Sequence, residues 1–462
     1  IISIYFTVFG DGTLSSQVFL TEEDFIMDKF LDTLQEKLGP IAYKLNENRY
    51  LSAIKSGFFG AMSLLIIGSI FLLFANLPIP GYADFMAGIF GANWTEFFMV
   101  PYNMTMNIMT LFVMIGISQD LSKHYDLDDL AGIIYGIVGF LILTPTLLSA
   151  DDASGIPMGN LSASGLFLGM MSAVFAVEII RWVLARGWKL TMPDSVPSNV
   201  AKSFDALIPG LFVILIFNIL RMVFALTPYE TAQAFIFEII QAPLTSLGAT
   251  LPATVLVLIL ETLLFSFGLH GPNILGAIMN PIWLSLTAGN ADAYAAGTEL
   301  PNIVNAQFYA NFIKLGGAGS TIGLALLCLF VAKSTQFKTL GKLAFGPAIF
   351  NINEPLIFGM PIVLNPILMI PFILTPVILA ILTYFVMSIG LVPLTNGVNI
   401  PWTTPPLFSG FLISGWRGAV WQIVETVISA AIFYPFFKIE DNKAYSVEIG
   451  ELEADASGNV VA

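Results

Sequence analysis

The chain has 462 residues, 56% of them apolar and only 11% charged, with a mean hydropathy of +0.83. So few charges cannot clothe a water-soluble protein of this length, which places the chain in a membrane. The net charge of −14 reflects 32 acidic against 18 basic residues, but Glu440, Asp441, Glu448, Glu451, Glu453 and Asp455 gather at the carboxy end, so the excess argues for no particular partner, and no basic stripe suits a nucleic acid.

Residues 1–20, broken by Asp11 and Gly12, read as neither a signal peptide nor a span and stay unassigned. Residues 22–50 carry Phe25, Phe30, Leu31, Leu34, Leu38, Ile41 and Leu45 among Lys29, Lys37, Lys44 and Arg49, the pattern of an amphipathic helix lying on the cytoplasmic membrane surface. Apolar runs then predict spans over 57–77, 98–121, 130–148, 166–184, 207–226, 251–267, 321–331, 362–391 and 418–437, because about twenty helical residues cross a hydrocarbon layer of roughly 30 Å. The weak alternation of an outer-membrane barrel is absent.

Lys and Arg set the orientation, since cytoplasmic loops hold an excess of both. Segments 76–96, 149–165 and 227–250 contain neither residue, whereas Lys123, then Arg181, Arg186, Lys189 and Lys202, then Lys333, Lys338 and Lys342, then Lys438 and Lys443 fall in the alternate connections. Both termini are therefore predicted inside. Residues 343–360 must enter and leave from one side, and a second re-entrant hairpin is preferred within 269–318, with 274–286 as an alternative crossing. The fold class is an all-α polytopic membrane protein of about ten transmembrane helices plus re-entrant hairpins and the amphipathic amino-terminal helix, a count resting on that alternation.

Glu354 is the only charged residue between Lys342 and Arg417. An ionised carboxylate at membrane depth is unfavourable by several kcal/mol unless paired, so it is a functional candidate, set against a structural role capping a half-helix. Pro347, Pro355 and Gly359 suit a broken segment around it, and Asn351 and Asn353 can bond backbone or ligand. His270 opens a second odd stretch, Gly268 to Asn273, just after an apolar run; an interior histidine alone is weak, but two such groups in two broken segments support each other. Glu261, Arg221 and Arg417 read as structural pairing or snorkelling groups. Trp402 suits an interfacial anchor or an indole face for a sugar ring. Asn273, Asn351, Asn353 and Thr403 supply hydroxyl-pairing groups.

Some chemistries are excluded. Cys328 is the single cysteine and His124 and His270 are the only histidines, so neither a disulfide within the chain nor a Cys- or His-rich metal centre is expected. No Walker-type loop occurs, and no metal or cofactor is predicted.

Residues 350–359 followed by Pro361 to Pro366, together with Phe267 to Gly271 and Pro193 to Val200, closely resemble the membrane (IIC) component of bacterial phosphoenolpyruvate-dependent sugar phosphotransferase systems. The branch is the lactose/cellobiose one, most like its diacetylchitobiose and cellobiose permeases, and the resemblance runs over about residues 27–438. It implies a homodimeric multi-pass permease of the bacterial inner membrane that binds a disaccharide and presents its hydroxyl to a separate cytoplasmic IIB protein carrying a phosphocysteine. The chain would thus be the membrane subunit of a sugar phosphotransferase whose phosphoryl donor lies on another chain, since Cys328 sits in an apolar run. Glu354 matches the position beside the phosphorylated hydroxyl and His270 a sugar-binding one. The implied division is a membrane half with the amphipathic helix and dimer contacts over 21–238, a half with the hairpins and sugar site over 239–438, and an acidic cytoplasmic tail over 439–462. The alternative function is a proton-coupled sugar symporter using Glu354 and His270 as proton carriers.

Overall fold

The computed structural model describes residues 5–8, 14–17, 40, 44–45, 47–77, 81–148, 154–193, 204–360, 362–363, 365–450, 453–454 and 460–461. Most of the predicted surface helix 22–50 and residues 194–200 of the motif after Pro193 lie outside these residues. Among the described residues, strand is confined to three two-stranded ribbons, Tyr5–Val8 with Leu14–Gln17, Leu147–Leu148 with Ser154–Gly155, and Glu453–Ala454 with Val460–Val461. The rest is dominated by helix.

Six described helices are long and apolar enough to cross a bilayer: Arg49–Ala75, Trp94–His124, Ala163–Leu184, Leu207–Ala225, Pro366–Ser388 and Phe408–Glu448. A bent pair, Ala232–Gly248 and Leu251–Ser266, with a 76° angle at its break, is a seventh if the two together form one broken span and a re-entrant loop otherwise. The expected ten crossings are therefore only partly matched by long apolar helices. Asp129–Leu143 has 15 residues, or about 22 Å at 1.5 Å per residue, shorter than the hydrocarbon layer. Gly271–Ala296 has 26 residues, about 39 Å, long enough to cross, but it is not among the helices apolar enough to do so by composition.

Some helix starts are fixed by side-chain caps. Asn48 Oδ1 accepts from the Tyr50 and Leu51 N–H groups at 3.0 and 3.2 Å and starts the first helix. That helix packs closely on Met109–His124 because Gly57 leaves room: a Cβ there would meet the Val113 carbonyl oxygen at 2.6 Å.

Four sequence expectations change. The predicted span 321–331 is a nine-residue helix, Ile322–Phe330, about 14 Å long and too short to cross alone. Positive φ at Gly316, Gly317, Gly319 and Ser320 separates it from the helical turns of residues 306–313. The predicted connection 227–250 is largely helix, with a π-helical step Phe237–Gln241 inside it, so the division at 238/239 falls within a helix. The acidic tail begins as helix, since Phe408–Glu448 continues past Lys438 with a break at Gly415. Asp441 is buried there and accepts from the Lys333 and Ser334 N–H groups at 2.7 and 3.0 Å, while Glu448 accepts from Thr335 and Gln336 at 2.9 and 3.0 Å. These acids hold the start of Thr335–Ile349, because the first N–H groups of a helix lack partners of their own.

The apolar interior forms two large cores. One joins the amino-terminal helices to Trp283, Phe308 and Leu379; the other gathers Phe265, Leu324, Phe337, Leu356 and Phe437.

Candidate functional site

A cavity of about 440 Å³ opens where the two cores meet. One wall is a face of the first helix, with Lys55, Phe58, Met62 and Leu65 three or four residues apart. A second wall is a face of Gly271–Ala296 that carries Asn273, Gly276, Asn280 and Trp283. The two chain breaks add Lys314, Gly317 and Ala318, then Asn351, Asn353 and Glu354, and residues 399–402 close the remaining side. Small-molecule sites have this size and this mix of apolar wall with a few converging polar groups. Another cavity, about 460 Å³, lies at the far end of the first helix beside Ala75, Tyr82, Trp94 and Tyr294, and holds none of the predicted site residues.

His270 precedes the helix Gly271–Ala296 and serves as its cap: its Nδ1 accepts from the Asn273 N–H at 3.2 Å. An imidazole that accepts at Nδ1 carries its proton at Nε2 in the neutral form, which leaves that N–H as a donor toward the cavity. Glu354 begins the short helix Glu354–Gly359 and its side chain is open to the cavity. It forms no ion pair and accepts no hydrogen bond among the described residues. A carboxylate with no partner of its own here presents acceptors to whatever fills the cavity.

Asn351 and Asn353 line the cavity but use their amides to hold the two breaks together. Asn351 has φ +60°, a conformation asparagine tolerates. Its Oδ1 accepts from the Gly316 N–H at 2.8 Å, and its Nδ2 donates to the Trp402 carbonyl at 2.6 Å. Asn353 Nδ2 donates to the Ala318 carbonyl at 2.6 Å and to Thr321 Oγ1 at 3.0 Å. Gly317 is required here: its φ is +96°, and a Cβ would lie 2.5 Å from Asn353 Cγ. Trp402 lines the cavity and is about half exposed, whereas Thr403 is not among the lining residues. Of the seven candidates, Glu354, His270, Asn273, Asn351, Asn353 and Trp402 thus meet at one cavity, and Thr403 does not.

Residues 55–376 match the family described as phosphotransferase system, EIIC. The chain belongs to the phosphotransferase-system EIIC family. It is 42% identical to the lichenan permease IIC component of Bacillus subtilis (strain 168), over 91% of this chain and 96% of that protein. It is 41% identical to the PTS system cellobiose-specific EIIC component of Geobacillus stearothermophilus, again over 91% of this chain and 96% of the relative. Its fold matches the crystal structure of the transporter ChbC, the IIC component from the N,N'-diacetylchitobiose-specific phosphotransferase system, with a TM-score of 0.87 and 41% identity over 90% of this chain and 99% of that one.

In this EIIC chain, side chains beyond the predicted set also build the cavity. Gln307 donates from Nε2 to Asn399 Oδ1 at 2.5 Å and accepts from Asn311 Nδ2 at 2.9 Å, so two lining amides are held in register. Behind the wall, Glu261 is buried and forms a 2.6 Å ion pair with Lys314, while the Tyr309 hydroxyl donates to its other oxygen. The Lys314 ammonium lies 4.2 Å from the Tyr309 ring centroid, and Tyr309 packs on Trp283 at 4.2 Å. The pairing expected of Glu261 is present. Arg417 is held instead by the Gly390 and Leu391 carbonyls at 3.0 and 3.2 Å, and Arg221 forms no ion pair among the described residues. Asn280 was not among the sequence candidates, although it lies seven residues after Asn273 and so on the same helix face.

Proposed function

We propose that this EIIC chain binds a disaccharide of the cellobiose or diacetylchitobiose kind in the cavity, carries it across the bacterial inner membrane, and presents one hydroxyl for phosphorylation by a separate cytoplasmic IIB protein. Both termini face the cytoplasm, and the chain works as a homodimer joined through its amino-terminal half. The observation that carries this reading is the unpaired Glu354 carboxylate, open into a cavity that also holds the His270 imidazole and the Trp402 indole. Relatives whose names specify cellobiose, lichenan and diacetylchitobiose support the substrate class.

A sugar offers hydroxyls around its edge and an apolar C–H face. Trp402 covers that face, and His270 donates to one hydroxyl oxygen while Asn273 and Asn280 pair with others. A polar site of this kind rejects analogues that lack a hydroxyl, because its own groups are then left unpaired. Glu354 accepts from the reacting hydroxyl and aims it at the phosphocysteine. The P–S bond breaks, the P–O bond to the sugar forms, the thiolate leaves with the IIB protein, and the hydroxyl proton passes to Glu354. Phosphoryl transfer has a loose transition state, so aiming the acceptor matters more than early proton removal.

Vesicles containing the purified chain test the reading. Sugar phosphate should collect only when phosphorylated IIB protein is supplied on the cytoplasmic side. Accumulation of free disaccharide driven by a proton gradient, with no transfer from phosphorylated IIB, would replace it with a symporter.

A further inference from the structure

We propose that Lys55 binds the phosphoryl group as it reaches the sugar, and then holds the phosphorylated sugar before release. Lys55 lines the same cavity as Glu354 and His270, but comes from a different element, the first helix. It lies six residues beyond Arg49, about 9 Å along the axis, and so near the end from which a cytoplasmic donor would enter. Its side chain is half-buried, and no carboxylate pairs with it among the described residues.

The charges around the cavity explain why such a cation is needed. Lys314 is already matched by Glu261 at 2.6 Å, and Glu354 adds an unmatched negative charge at the wall. Without Lys55 these groups would present net negative charge to an arriving phosphate, which itself carries close to two negative charges. With Lys55 the described ionised groups balance, and an unpaired ammonium stands ready for the oxygens of the transferring group. Preorganised cations aimed at those oxygens are the main protein contribution to phosphoryl transfer.

This inference rests on the phosphotransferase reading, but one part of its test needs no IIB protein. Affinities for cellobiose and for cellobiose monophosphate are measured by calorimetry on the detergent-purified chain and on Lys55→Gln and Lys55→Arg. The expected result is unchanged cellobiose affinity in Lys55→Gln, affinity for the monophosphate weakened about ten- to a hundredfold, and most of it restored in Lys55→Arg. Transfer from phosphorylated IIB should fall in parallel. Unchanged affinity for the monophosphate in Lys55→Gln would overturn the proposal, as would an equal loss for both ligands. A wild-type chain that binds both ligands but receives no phosphoryl group from IIB would instead sink the phosphotransferase reading, and the ratio of the two affinities would then decide the role of Lys55 by itself.

Discussion

Glu261 and Glu354 stand at the same cavity, one behind its wall and one in it, and they differ in what holds them. Glu261 has an ammonium at 2.6 Å and a phenol hydroxyl, and is buried. Glu354 has neither and is open to the cavity. A carboxylate satisfied by its own protein can shape a wall but has little left to offer a ligand. The unsatisfied one is stable only because water or a substrate can reach it. Position relative to the wall, more than residue type, separates structure from chemistry here.

The contrast between the two acids should show most strongly at Glu354. Glu354→Gln keeps an acceptor for the sugar but cannot take its proton, so phosphorylation should fall about a thousandfold while disaccharide binding persists. Near wild-type transfer from phosphorylated IIB in this variant would show that Glu354 has no part in the chemistry. At Glu261 the same change acts on the fold. Glu261→Gln strands Lys314, whose side chain is 15% exposed, and the unfolding free energy should drop by about 3 kcal/mol. Adding Lys314→Met should recover much of that loss. Thermal unfolding in detergent measures both, and a double variant less stable than the single would show that the pair is not what matters.

The breaks in the chain were visible in the sequence because their chemistry is local. Pro347, Asn351, Asn353 and Pro355 fall within nine residues, and the break at residues 350–353 lies between Pro347 near the end of one helix and Pro355 in the first turn of the next. Gly316, Gly317 and Gly319 carry a similar signal, yet the apolar run after them has the composition of a whole span and forms only half of a broken one. Two features could not be read locally. The face of Lys55, Phe58 and Met62 has the same composition whether it meets lipid or a cavity, so the contribution of the first helix to the site was hidden. The partners of Asp441 are more than 100 residues away, and an acidic stretch after a span looks like a solvated tail until the helix start it holds is known. The site residues were accessible because an acid and a histidine among apolar residues are conspicuous, while the structural use of Asn351 and Asn353 depends on contacts formed only on folding.

His270 lies between the two carboxylates in kind, with one nitrogen used by the protein and the other left for the cavity, and so gives the finest contrast. Its Nδ1 caps a helix through the Asn273 N–H, a service that asparagine also performs well. His270→Asn should therefore retain the stability of the chain and lose only the longer reach of Nε2, weakening disaccharide affinity about three- to tenfold, the worth of one hydrogen bond. His270→Ala removes the cap as well and should lower stability by about 1 kcal/mol besides. Calorimetry and thermal unfolding on the two variants separate the roles: if alanine and asparagine weaken binding equally but differ in stability, the two nitrogens act independently. Equal stability with unchanged affinity in both variants would mean that neither nitrogen does what its position suggests.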